Sequence, residues 1–344
     1  PLFYSSFGQL STTHKLVDTH KKTPLMILYQ RFSALVRNSL NISRTSLNLS
    51  KTFSTRTEDD VPPVKTVDLA YSTYETQESK QKKLTPLTIL HGMMSAKDNW
   101  SMFGEAINRN TGRKVIAIDA RNHGDSPRSE NMTWDHLVAD VLVLLKKLDI
   151  TKTSILGHSM GGRTACLLAL KKPELVSSLI VGDVSPLMIS PTIIRVDHLL
   201  DSMLSVKIPS GLSLEEARLS TKEQLSGTIS NVPIINFLVK NVVQLPGSNE
   251  ITWRLNVPAL KANFMSKLIF FPEAAKSLKY TGPTIFIAGS KSDHMRYVFL
   301  ALPEFRKGMF PKAEMTFIEG AGHWVHSRKP DEFLEVVYDF LGKH

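Results

Sequence analysis

The chain has 344 residues, 42% of them hydrophobic and 22% charged. That balance excludes a fibrous or disordered protein and leaves room for one large core or two small ones. The formal net charge of +10 would by itself suggest nucleic acid or an anionic surface as partner. Its location excludes that reading: residues 1–57 hold eight Lys or Arg (Lys15, Lys21, Lys22, Arg31, Arg37, Arg44, Lys51, Arg56) against one acid, Asp18. The rest of the chain has 34 basic and 31 acidic residues, a net +3.

From Met26 the leader runs MILYQRFSALVRNSLNISRTSLNLSKTFSTRT. Leu28, Phe32, Leu35, Val36 and Leu40 fall on one helical stripe, with Arg37 and Arg44 opposite. A positive, Ser-rich, acid-poor amphipathic segment has the form of a mitochondrial presequence, so residues 1–57 are expected to direct the chain to the matrix. Met26 is the expected start, with residues 1–25 upstream of it. PLMILY is too short for a secretory h-region, and no run of about 18 apolar residues spans a bilayer. The single cysteine, Cys166, excludes an intramolecular disulfide and fits a reducing compartment, with packing as its expected role.

Residues 58–344 are expected to form the folded body. VPPVKTVDLAYSTYE is a Pro-rich entry into an alternating strand, and SKQKK reads as a solvated turn. Short apolar β-rich runs follow at Leu87–Leu90, Val115–Ile118, Ser154–Leu156, Leu179–Val181, Ile285–Ala288 and Met315–Ile318. Helical patterns separate most of them, including WDHLVADVLVLLKKL, GRTACLLALKK and DEFLEVVYDFL. Such an alternation predicts an α/β fold, a mostly parallel sheet flanked by helices. The rhythm stops over about 186–277, where RVDHLLDSMLSV, LSLEEARLSTKEQL, VPIINFLVKNVV and ALKANFMSKLIFF are mostly helix-like. A segment of that length predicts an inserted helical cap over the carboxyl ends of the strands.

The stretch Ser154–Ala165, SILGHSMGGRTA, supports two readings. Gly157 to Gly161 fits G-x-S-x-G, whereas Gly157 to Thr164 is G-x-x-x-x-G-R-T, one residue from a phosphate loop. Against the latter, Arg163 is larger and differently aimed than the required lysine, and at least three strand signals precede the motif. For the former, Ser159 sits on a sharp strand-to-helix turn, with the Met160 N–H directed at an oxyanion. Met93, after the His91–Gly92 turn in ILHGMM, supplies a second N–H donor. The base must come late in the chain, and His323, in the loop EGAGHW, fits better than His326 or His91. There is no H-E-x-x-H or comparable ligand spacing, so neither metal nor cofactor is expected.

The segments LHG, DARNHGDSP, GHSMGG and GAGHW, at these spacings, resemble the α/β-hydrolase superfamily from about Leu69 to Leu341. Within it they are similar to the mitochondrial diacylglycerol-lipase-like branch and its bacterial esterase and fungal alcohol-acyltransferase cousins. The resemblance implies that Asp119, His123 and Asp125 are structural. It leaves the triad acid between two positions. Most of the superfamily would place it at Asp293; the bacterial esterases would use Asp183, with a serine at the position of Ser292. A cap acid proposed in some relatives has no counterpart, because the matching stretch WRLNVPAL offers Pro258. The expected function is cleavage of medium or long acyl esters such as diacylglycerol by Ser159, His323 and Asp183. The alternatives are acyl transfer to an alcohol, or a non-catalytic binding or chaperone role beside a matrix protein partner.

Overall fold

The computed structural model describes residues 64–187, 190, 193–294, 303 and 306–344, so the expected leader, 1–57, lies outside the described residues. In chain order the body begins with β1 (Tyr71–Tyr74), α1 (Gln77–Lys82), β2 (Leu87–Leu90), α2 (Ser101–Thr111) and β3 (Val115–Ile118). It continues with α3 (Trp134–Lys147), β4 (Thr153–His158), α4 (Met160–Lys171) and β5 (Val176–Gly182). There the chain leaves the sheet for α5 (Ile194–Ser205), α6 (Leu214–Ser226), α7 (Val232–Val239), β6 (Val242–Gln244), β7 (Ile251–Trp253) and α8 (Val257–Asn263). It returns as β8 (Thr284–Gly289) and β9 (Ala313–Ile318), then closes with α9 (Val325–Arg328) and α10 (Pro330–Lys343).

Seven strands form one sheet in the order β1-β3-β2-β4-β5-β8-β9, with only β1 antiparallel to its neighbour. Each apolar run read from the sequence falls within one of these strands. On one face Leu87, Ile89, Val115, Ala117, Leu156, Ile180, Ile285 and Ile287 pack against Phe103 and Ile107 of α2 and Phe333, Val337 and Phe340 of α10. Complete burial of one such side chain stabilises the fold by about 1.5–3 kcal/mol, so this face holds the sheet against its helices. Helix α4 is buried along Met160–Leu170, which fits an element enclosed on all sides.

The chain passes from β2 out to β3 and back to β4 on the other side of β2, so the strand order reverses between β2 and β4. Ligands bind in open α/β sheets at the carboxyl ends of strands flanking such a reversal. The segments leaving β2 and β4 there carry Met93 and Ser159.

Two expectations are corrected. SKQKK does not form a turn; it lies largely in α1. Thr76 Oγ1 accepts from Ser79 N–H, and Ser79 Oγ accepts from Thr76 N–H at 2.8 Å. This capping box uses serine where the usual signature has Glu or Gln, so the helix start is hard to see in sequence. The helix read through VPIINFLVKNVV stops at Val239, and β-branched Val242 and Val243 pair with Trp253 and Thr252 in a hairpin. The insertion is therefore helical with one two-stranded ribbon. Among the described residues no helix is long and apolar enough to cross a membrane.

Candidate active site

Strand β4 ends at His158 and α4 begins at Met160, leaving Ser159 alone at the bend with φ 53° and ψ −115°. A non-glycine residue held there stores about 1–3 kcal/mol of strain, which surrounding bonds must sustain. Ser159 N–H donates to Gly182 O at 3.0 Å, and Arg163 N–H donates to Ser159 O at 3.1 Å. A Cβ on Gly161 would lie 2.2 Å from Leu90 O, so the second glycine of the motif is required by backbone contact between α4 and β2.

Met160 follows this bend directly, and the turn after β2 packs against it. Met160 N–H is the first of α4 and, as a first-turn amide, has no intrahelical acceptor. Gly92 to Ser95 forms a turn closed by Ser95 N–H to Gly92 O at 3.2 Å, a bond that does not use Met93 N–H. The turn abuts the serine, since a Cβ on Gly92 would sit 3.2 Å from Ser159 Cβ.

His323 lies in the loop between β9 and α9, its side chain 23% exposed, with Nδ1 2.7 Å from Asp183 Oδ2. The carboxylate accepts, so Nδ1 carries a proton, and in the neutral tautomer this selects, Nε2 keeps its lone pair. Asp183, at φ 50° just past β5, also accepts from Gly289 N–H at 3.0 Å and from Ser292 Oγ–H at 2.5 Å. Burial pushes its carboxyl up, but the hydrogen bond and charge interaction with His323, together with the bond from Ser292, outweigh this and hold it below the usual carboxylate range. Asp183 is thus an anion at neutral pH, able to stabilise an imidazolium.

The other expected candidates lie elsewhere. Asp293 is 59% exposed and 3.5 Å from Arg195 Nη1. His91 donates Nδ1–H to its neighbour's carbonyl, Gly92 O, and accepts from Ala120 N–H at Nε2. His326 stacks on Trp100 with ring centroids 4.3 Å apart. Asp119 is fully buried and accepts from the N–H groups of Lys97 and Asp125, so it shapes the loop. His123 is buried, with its pKa pushed down to about 3 by burial and by His91.

Two neighbours escaped the sequence reading. His158 donates Nε2–H to His323 O at 2.9 Å, and the His294 ring lies 4.4 Å from that of His323. Burial and His323 bring both imidazoles to a pKa of about 3, so they are neutral. His158 was visible as the variable residue before the nucleophile, and His294 as the residue after Ser292-Asp293. Their roles depend on distant partners that no local pattern encodes.

The phosphate-loop frame does not survive this geometry. Arg163 donates to the carbonyls of Ser185 and Ile269, and the aspartate ending β5 holds His323. A model of the α/β hydrolase fold matches residues 85–330. The chain belongs to the α/β-hydrolase family. This hydrolase is 36% identical over 258 residues to the Mus musculus protein named sn-1-specific diacylglycerol lipase ABHD11, covering 75% of this chain and 81% of that one. It is 27% identical over 261 residues to Esterase YbfF of Escherichia coli K12, covering 76% and 94%. The solved structure of a marine microorganism esterase superposes with a TM-score of 0.68 at 27% identity, covering 80% of this hydrolase and 99% of the esterase. Fold and relatives together make this hydrolase an enzyme of the carboxylic-ester-hydrolase class.

Proposed function

We propose that this hydrolase cleaves lipid acyl esters through an acyl-enzyme on Ser159. The observation that carries the reading is the 2.7 Å contact between His323 Nδ1 and Asp183 Oδ2 beside the strained bend at Ser159. Ser159 Oγ attacks the ester carbonyl carbon while its proton passes to His323 Nε2, and Asp183 stabilises the resulting imidazolium. The N–H groups of Met93 and Met160 receive the developing oxyanion. Collapse breaks the carbon–oxygen bond to the alcohol, which takes the proton from His323. Water, deprotonated in turn by His323, then releases the carboxylic acid and restores the serine.

Diacylglycerol is the proposed substrate class. The mouse relative's name supports it, as does an aromatic contact between Phe237 of the cap and Trp324, ring centroids 5.6 Å apart, next to His323. The presequence form of residues 1–57 adds the mitochondrial matrix as the proposed site of action, checked by import of those residues fused to a fluorescent reporter. Hydrolysis of diacylglycerols and aryl esters of graded chain length tests the reading. Turnover should rise from short to long chains and vanish in Ser159→Ala; equal turnover by that variant would overturn it.

A further inference from the structure

The turn that presents Met93 does not stand by itself. Its third residue, Met94, is buried at φ 60°, a conformation unfavourable for a side chain with a Cβ. Such a turn needs partners to keep its peptides in place. One comes from the inserted cap: Asn241, between α7 and β6 and 6% exposed, donates Nδ2–H to Met94 O at 3.0 Å.

Asn241 is fixed in turn by the cap's other edge. Arg254, just past β7, donates its backbone N–H to Asn241 O at 2.7 Å. Its guanidinium reaches Asp98 at 2.5 Å, four residues beyond Met94, and Asp125 at 2.6 Å. On the body side, Lys97 donates its backbone N–H to Asp119 Oδ1 at 2.6 Å. The segment Gly92–Asp98 is thereby held from both sides, and the cap supplies the contact within the turn.

We propose that Asn241 is a positioning residue for the oxyanion turn, so that a seated cap completes the oxyanion site and a displaced cap loosens it. The inference rests on the serine-hydrolase reading of the Met93 N–H given above. An acyl chain that holds the cap down then promotes the chemistry on its own carbonyl, and the cap sets rate as well as substrate choice.

The experiment compares the full chain with Asn241→Leu, which removes the donor at similar volume, and with Asn241→Ser, whose hydroxyl is too short to reach. Each is assayed on an aryl butyrate and on its thiono analogue, in which sulfur replaces the carbonyl oxygen. Sulfur accepts hydrogen bonds poorly, so the ratio of kcat/KM for the two substrates reports the oxyanion donors. In both variants kcat on the oxygen ester should fall about ten- to a hundred-fold with KM within about two-fold. The oxygen-over-sulfur preference should shrink about ten-fold. A cap contact that merely stabilises the fold would lower both substrates together, so an unchanged preference in either folded variant overturns the inference alone. Hydrolysis that survives Ser159→Ala overturns the serine-hydrolase reading and this inference with it.

Discussion

His158 Nε2–H is bonded to the backbone carbonyl of His323 at 2.9 Å, so the residue preceding Ser159 anchors the loop that carries the imidazole. The rings of His158 and His323 lie 4.8 Å apart, and His326 packs edge-on against His158 at 4.7 Å. Ser159 and His323, the proposed nucleophile and base, lie 164 positions apart and are registered by this bond from the residue before the serine to the histidine's own carbonyl. His158→Leu removes the donor and keeps an apolar side chain in place. It should lower kcat about ten-fold with little change in KM, since a small displacement of a reacting group is costly. Steady-state kinetics on one aryl ester checks this.

The two candidate acids separate cleanly by substitution. Asp183→Asn leaves an amide that can donate to His323 Nδ1 and favour the wrong tautomer, and should cost about 10³–10⁴ in kcat/KM. Asp293→Asn alters an exposed pair with Arg195 and should stay within about two-fold. Parallel assays of the purified variants decide it.

Acid should unfold this protein earlier than its overall composition suggests. Burial, the largest cause for each, puts His123, His158 and His294 at a pKa of about 3 and His326 well below its ordinary value. A histidine whose folded pKa lies under its unfolded value of about 6.5 takes up its proton in the unfolded chain first. Stability therefore falls as pH drops from about 6.5 toward 3, at about 1.4 kcal/mol per pH unit for each such group. Asp183, depressed for a carboxylate, adds a loss that starts only below about pH 4. Thermal unfolding followed by circular dichroism should show Tm lower by at least about 10 °C at pH 5 than at pH 7. His326→Phe should flatten that slope. Its Nδ1 is buried without a hydrogen-bond partner among the described residues, within the cluster of Trp100, Phe103 and Phe333.

The parallel sheet was legible because its strands are short apolar runs between strongly periodic helices, a pattern that few other folds produce. Ser159 was legible for a local reason, since the close approach at Gly161 imposes a motif on contiguous residues. The cap ribbon at Val242–Trp253 was not. Three-residue strands beside an apolar eight-residue helix carry no period of their own, and Val242 is buried by tertiary packing rather than by local pattern. Asp183 and Asp293 looked alike in sequence because each ends or follows an apolar strand. What separates them in space is the pairing of β5 with β8, which brings Asp183 against Gly289 N–H and Ser292. Asn241 and His158 act through partners 147 and 165 positions away, a dependence that appears only once the chain is folded.

The central claim is that one hydroxyl, that of Ser159, forms the covalent bond to substrate. Mass spectrometry of the protein after reaction with a fluorophosphonate tests it most directly. A single phosphonyl adduct on the peptide containing Ser159 is expected, absent from Ser159→Ala and strongly slowed in His323→Ala. An adduct that persists in Ser159→Ala, or unmodified protein in a sample whose ester hydrolysis the reagent abolishes, would contradict the account.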